Sequence, residues 1–360
     1  ELMEARTYVS AYLERMYLAA HPELTAAARE LVHKDIPQRM EKYANSAHEQ
    51  ALVAYAHAHE HLMQRLRAIE DVPDDEEFDR KRAQLFDETR LALFKIAETD
   101  RMCIDANLVG LLLSNISIDA CLGELMKLEH RVHEQLVSNV AGFSDNAPHF
   151  WDERFVAERT LEGADPITTT AVLTVEEPAL VGWLHTLEAL AQMCLASARY
   201  RAAERYARLV LRASGYPSHA EGTVFLALAR LEDEEGFFAF AHELEAERGE
   251  RAAAVLDDSP WFLLARTLLL YKLGRRKPAR RALRDFAARC EGGAFFLLNP
   301  TYMAPYLPVR PQPREAWDLS HQAAWDADGI IVDTPDFIPW AESIDGVYDE
   351  SERFANRNGF

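Results

Sequence analysis

The sequence predicts an all-α fold, a right-handed α-α superhelix of stacked helical hairpins, on three observations. First, residues recur at an interval of 38: Tyr200, Phe238 and Arg276; Ala203, Ala241 and Ala279; Ala198, Gly236 and Gly274. Each unit reads small, any residue, large, two residues, Ala, at a turn between two apolar-periodic stretches of helix length, and fixed periods of this size mark stacked arrays. Second, residues 1–70 space their apolar side chains at helical intervals and contain no glycine. Third, a chain of 360 residues that is 49% hydrophobic and 27% charged can bury a large core and is too apolar for disorder.

Taken in order, residues 1–141 form an N-terminal helical region. Helices are expected near 4–20, 23–33 and 36–70, because Pro22 and Pro37 can each open or stop a helix. Val72-Pro73-Asp74-Asp75-Glu76-Glu77 is a loop entering a helix whose first turn is acidic, as the helix dipole prefers, and that helix runs to about Thr99. Another begins at Asp105-Ala106-Asn107-Leu108. Ser117 caps a third that continues to about Ser138, and the last two read as a degenerate hairpin. In 142–177 the helical pattern stops: Gly142, Asp145, Asn146, Pro148 and Gly163 break it, and Thr168–Thr174 is β-branched. This is a connecting segment, with a short helix expected near 150–160. The repeats occupy 178–290. Residues 291–360 are expected to be a loop-rich cap or tail, since seven of the sixteen prolines fall between Pro300 and Pro339, with helix near Arg314–Asp326. Its aromatics, Trp317, Trp325, Phe337, Trp340 and Tyr348, are expected to pack back onto their own domain.

Within the array, first helices offer Leu187, Leu190 and Ala191 in one unit and Phe225, Leu228 and Ala229 in the next. Small residues suit close crossings, and large ones suit the packing of the next hairpin. Together with the turn residues and the Tyr200/Ala203 and Phe238/Ala241 offsets, this resembles the tetratricopeptide repeat. The period exceeds that family's usual 34, which implies longer loops at Ala213–Ser218 and Arg248–Pro260, and the third unit carries Arg276 in place of an aromatic. The resemblance implies a concave groove lined by the first helices. Its inward positions are then His185, Glu188, Gln192 and Leu195; Thr223, Leu226, Arg230 and Asp233; and Trp261, Leu264, Leu268 and Tyr271. A mixed polar and apolar lining suits an extended peptide or a helix. Packing against the N-terminal helices or the C-terminal tail accounts for the same residues equally well. A second resemblance adds Pro148-His149-Phe150-Trp151 before the array and Asn299-Pro300-Thr301-Tyr302-Met303-Ala304-Pro305-Tyr306-Leu307 after it. These are similar to stretches in bacterial proteins related to the suppressor of tumorigenicity seven family of tetratricopeptide proteins, which implies architecture and no chemistry.

The formal charge of −20 disfavours nucleic acid and anionic membrane as general partners. The local basic run Arg275, Arg276, Lys277, Arg280, Arg281 and Arg284 reads as a solvated helix face or, failing that, a site for phosphate or an acidic partner. Cys103, Cys121, Cys194 and Cys290 are widely spaced and read as reduced, buried thiols. No stretch is expected to span a bilayer, and the start is charged and lacks a signal-peptide core, so a cytoplasmic location is expected. His57 and His61 lie one turn apart on a helix and form the sharpest, though weak, metal candidate, with His130 and His133 weaker still; His57, His59 and His61 are expected to be exposed and metal-free. No nucleophile elbow and no phosphate-binding glycine loop occurs, so neither a catalytic residue nor a cofactor is expected. The sequence therefore points to a non-catalytic scaffold that binds a protein or peptide in its groove and admits a homo-oligomer. The alternatives are an enzyme using the N-terminal His-rich helix, and a self-associating protein whose groove takes its own C-terminal tail.

Overall fold

Capping side chains set where the first helices begin. Asp74 accepts a hydrogen bond from the Glu77 amide at 2.8 Å and Ser117 one from Ala120 at 3.3 Å, which opens α5 (Asp75–Thr99) and α7 (Ile118–Asn139). Thr25 does the same for α2 (Ala26–Asp35), which follows α1 (Ala5–Ala20). The helix expected over 36–70 is instead a 3₁₀ turn at Ile36–Gln38, a single turn α3 (Met40–Tyr43) and α4 (Ala47–Glu70). A capping box causes the break. Ser46 Oγ accepts from the Glu49 amide, while the Glu49 carboxylate accepts from the amides of Asn45 and Ser46 at 2.6 and 2.8 Å. Between α5 and α7 lies α6 (Ile104–Leu112).

The computed structural model describes residues 3–70, 72, 74–140, 143, 149–151, 171–172, 174–248, 256–303 and 315–360. The chain divides into two compact units, one gathering Glu1–Leu190 and Leu209–Pro217, the other Ala191–Arg208, Ser218–Leu307 and Gln312–Phe360. The division falls inside α8 (Pro178–Ala196) and α9 (Tyr200–Leu211), not at the connecting segment. The fold is all-α: among the described residues the only sheet is three parallel two-residue strands, β1 (His149–Phe150) between β2 (Ala171–Val172) and β3 (Ala213–Ser214). The helix expected near 150–160 lies outside the described residues, apart from His149–Phe150 and Trp151 just before it.

In the first unit α4 packs on α1 and α5, and α6 packs between α5 and α7. Tyr8, Leu13, Leu52, Tyr55, Leu62, Leu93, Leu108 and Leu125 fill the space between them. Gly182 lets α8 approach closely, since a Cβ there would lie 2.5 Å from Cβ of Ile104. Against expectation, α8 is long and apolar enough to cross a membrane by length and composition; 72% of that stretch is buried inside the protein, as in a core helix.

The second unit holds α10 (Ala220–Arg230), α11 (Glu234–Arg248), α12 (Pro260–Lys272) and α13 (Arg276–Arg289), then α14 (Gly293–Leu298), α15 (Trp317–Val332), α16 (Phe337–Glu342) and α17 (Val347–Asn358). Three helices end in the same left-handed turn, at Ala198, Glu232 and Gly274, with φ of 59°, 58° and 72°. In each, the next residue's amide reaches back five residues, Arg199 to Cys194, Asp233 to Leu228 and Arg275 to Leu270. The turn residue's own amide reaches back three, and together these bonds make a Schellman motif. These turns correct the uniform period. From 198 to 232 is 34 residues and from 232 to 274 is 42. The second turn falls at Glu232 because Asp233 caps α11 there, its Oδ1 accepting the Gly236 amide at 2.8 Å, which places Gly236 inside the helix.

Hairpins α10–α11 and α12–α13 each pack, and α12 packs on α10. The C-terminal segment is more helical than its prolines suggest. Left-handed Asp336 and Gly346 make its turns, and Pro339 sits in the first turn of α16, where its missing amide costs nothing. Helix α15 packs on both α10 and α12, and Phe295, Phe296, Ala324 and Phe354 join α14, α15 and α17.

If those turns set the repeat, Ala198→Gly should stabilise the chain by about 0.5–1 kcal/mol and Gly274→Ala should destabilise it by about as much, because only glycine takes positive φ freely. Urea melts of the two variants check this.

Candidate functional site

Ser259 caps α12, its Oγ accepting the Phe262 amide at 3.3 Å, with Pro260 as first residue, and this fixes Trp261 in the opening turn. Trp261 is 2% exposed. Its ring fills the space left by Gly222 of α10, where a Cβ would lie 2.4 Å from the indole Cγ, and it stacks on His219 at 4.6 Å. The indole N–H donates to Asp326 of α15 at 2.9 Å. Asp326 keeps part of its surface open, yet burial of its carboxyl pushes it up to about 6, against the opposing pull of the Trp261 hydrogen bond. At the other end of α12, Tyr271 packs against Phe337 at 5.1 Å and Trp340 at 4.7 Å, and the Arg276 guanidinium lies over its ring at 3.7 Å. Leu268 has no exposed surface. Arg230, at the end of α10, is half-buried; it pairs with Asp333 and lies over the Tyr200 ring at 5.4 Å. Asp233 is exposed and caps α11, and Gln192 is half-buried.

In the first unit, His185 has no exposed surface and Glu188 is 8% exposed. His185 Nε2 accepts the Met3 amide at 3.0 Å, so its proton sits on Nδ1, which donates to Asp105 Oδ2 at 2.9 Å. The Tyr8 hydroxyl donates to the same oxygen at 2.7 Å. Burial works to raise the Asp105 carboxyl, but the His185 ring and these two hydrogen bonds outweigh it and hold the carboxyl below its usual range. Asp105 Oδ1 and the Tyr55 hydroxyl are buried with no hydrogen-bond partner among the described residues. Tyr216 donates to Glu188 at 3.1 Å and packs edge-on against Trp151 at 4.9 Å, so the Trp of the His-Phe-Trp stretch is a core residue.

The groove expectation is therefore corrected for five of its residues: His185, Glu188, Trp261, Leu268 and Tyr271 are enclosed and partnered within their own units. Thr223, Leu226, Leu264 and Leu195 are buried as well. For α10 and α12 the physical reason is that neighbouring helices cover almost every position: residues 220–229 are all buried, as are most of 260–271, so neither keeps a free face. On α8, His185 and Glu188 are enclosed by their hydrogen bonds to Asp105 and Tyr216. Gln192, Arg230 and Asp233 retain exposed surface.

The histidines of α4 separate by helical phase. His57 is exposed and pairs with Glu41 at 2.5 Å, and His61 is exposed. His59, roughly 200° around the helix from His57, is 5% exposed, which corrects the expectation that all three face solvent. Burial, with Asp105 opposing it, lowers the His59 pKa to about 4. Among the described residues no group of three or more His, Cys, Asp and Glu is placed to hold a metal ion. All four cysteines are buried; burial pushes the Cys290 thiol up to about 12 and Cys103 further still, which disfavours the nucleophilic thiolate.

Sequence reasoning missed Asp105 as a partner, together with Tyr8, Tyr55 and Asp326. Asp105 lies 80 positions from His185 and Tyr8 97 from Asp105, so no local spacing links them. The only local signal for Asp326 is its place directly after Trp325, and the sequence does not separate it from Asp328 two residues on.

No family model, no curated protein and no solved structure matches the chain.

Two pH profiles check the buried groups. His59 has a folded pKa below its unfolded 6.5, so its contribution is intact above 6.5 and lost as pH falls to about 4. That loss is about 3 kcal/mol, and His59→Phe should abolish it in melts of the full chain between those pH values. Asp326 is the opposite case. Its folded pKa lies above 3.8, so its ionisation destabilises the fold as pH rises through about 6. Asp326→Asn keeps an acceptor for Trp261 and should raise Tm over wild type at pH 7, with the gain disappearing below about pH 3.8.

Proposed function

We propose that this chain is a non-catalytic protein-interaction scaffold of tetratricopeptide-like hairpins, in which α15 and α16 are the built-in occupants of the face that the sequence assigns to a partner. One observation carries the reading. The groups of α10 and α12 best suited to capture a ligand already hold the C-terminal segment: Trp261 holds Asp326, Arg230 holds Asp333, and Tyr271 holds Phe337 and Trp340. A helix seated across the first helices of two hairpins is the helix-in-groove mode of recognition, satisfied within one chain. The 34-residue interval between the first two turns, the usual length of that repeat, supports the tetratricopeptide-like assignment. The enclosure of the Asp105–His185 pair, with His185 Nε2 already engaged, favours a structural role over catalysis there. Partners then dock on outward surfaces.

Hydrogen exchange on the full chain tests this. Amides of α15 should be protected to within about tenfold of those of α12, as members of one cooperative unit. Arg230→Ala combined with Asp333→Ala should leave the proteins cross-linked to the chain in a lysate unchanged. Exchange of α15 alone that is faster by about a hundredfold or more makes it a removable strap over an open face, and the occupied-face reading fails.

A further inference from the structure

Helix α13 buries Ala279, Ala282, Leu283 and Phe286 and turns Arg276, Lys277, Arg280, Arg281 and Arg284 to solvent. Most basic residues around this face are engaged. Arg275 pairs with Glu234, Arg289 with Asp257, Arg276 lies over Tyr271, and Arg284 reaches Asp345 at 3.5 Å, a residue 97% exposed. Lys277, Arg280 and Arg281 have no acidic partner among the described residues. On a chain of net charge −20 this is an anomaly.

The anomaly has a local cost. Lys277 with Arg281, and Arg280 with Arg284, are like-charge pairs one turn apart, which disfavour the helix. The first turn of α13 has no acidic residue, Arg275 provides no side-chain cap, and Arg276 and Lys277 set cations against the positive end of the helix dipole. Two helices show the opposite arrangement: α5 opens with Asp75, Glu76 and Glu77 behind the Asp74 cap, and α17 opens with Asp349 and Glu350 and closes with Arg357. What sets α13 apart is the sum of these costs with three exposed cations that no carboxylate among the described residues offsets, and a local conflict of that kind marks a place shaped by something other than stability.

We propose that this face of α13 docks an acidic segment of a partner protein, its carboxylates spread over about 10 Å, the length of two helical turns. Guanidinium groups favour carboxylates through paired hydrogen bonds, and three of the four cations from Lys277 to Arg284 are arginines. Overall charge selects among anions. A duplex or an anionic bilayer extends past the stripe and meets the field of a −20 chain, whereas a short acidic segment meets the stripe alone. The assignment rests on the scaffold reading and names the chemistry of its partner.

The test uses the full chain and a labelled peptide of Glu and Ala, with Glu at every third or fourth position, beside the Gln-for-Glu peptide and a single-stranded oligonucleotide of equal charge. The Glu peptide should bind, the Gln peptide should not, and affinity should fall as salt rises to about 150 mM, where the Debye length is ~8 Å. Arg280→Glu with Arg281→Glu should weaken the Glu peptide by about tenfold or more. Lys277→Glu should weaken it too while raising Tm, because it puts a carboxylate in the first turn; a purely structural role moves binding and stability the same way. Equal peptide affinity in wild type and the double variant overturns the proposal, as does no Glu-peptide binding at low salt. So does tighter binding of the oligonucleotide. Loss, in the double variant, of a dimer that wild type forms without peptide also overturns it, making the face a contact between copies. In all these cases the scaffold reading is judged separately, by exchange in α15.

Discussion

Trp261 is the residue on which the second unit turns. Its ring occupies the place of a side chain that Gly222 lacks, so α12 and α10 meet at a distance no other residue at 222 allows. Its indole N–H then needs an acceptor, because a buried unpaired donor costs roughly 1–3 kcal/mol, and Asp326 supplies one. One side chain thus ties three helices. Everything further along α12 follows from that seat, since α15 laid across α10 and α12 brings Asp333 to Arg230 and Phe337 and Trp340 to Tyr271.

The two buried carboxylates show that enclosure alone does not set a charge state. Asp105 receives donors from Tyr8 and His185 on one oxygen and is held below its usual range, while Asp326 receives a single indole N–H and is raised to about 6. The count and kind of donors decide which side of the desolvation cost wins. The same reasoning separates His59 from His57 on one helix. The first is enclosed beside Tyr55 and resists protonation, and the second is exposed against Glu41. Chemistry in this chain is a matter of which face of a helix a residue falls on.

That helps explain what is legible in the sequence. The caps of α5 and α7 are, because Asp74 and Ser117 act on amides three residues away. The Ser46–Glu49 capping box is local too, but the unbroken apolar period across it masks the signal. The all-helical class and the run of hairpins follow from spacing alone, whereas the register of the second hairpin does not: glycine propensity points to Gly236, and the turn uses Glu232. The groove residues mislead for another reason. The repeat resemblance assigns an open face to α10 and α12, yet their sequences, AEGTVFLALAR and PWFLLARTLLLYK, are dominated by apolar residues and are buried at nearly every position. Asp105 with His185 is beyond any local reading, being an encounter of distant segments.

Why a glutamate takes a left-handed turn that glycine takes more readily is answered by its neighbours. Glu232 pairs with Lys272 at 3.3 Å, and two residues on, Glu234 pairs with Arg275, so the turn between α10 and α11 is linked by charge to the end of α12 and the turn that follows it. A surface ion pair is worth about 0–1 kcal/mol; here the Lys272 side chain is mostly buried and Glu232 half-exposed, and a left-handed non-glycine residue costs roughly 1–2 kcal/mol. The pair offsets part of the backbone cost at 232. At Ala198 no charge stands against the backbone cost, and at Gly274 there is little cost to offset. The three turns share one backbone geometry and reach it by different balances, and for that reason the repeat is plainer in the hydrogen bonds than in the residues.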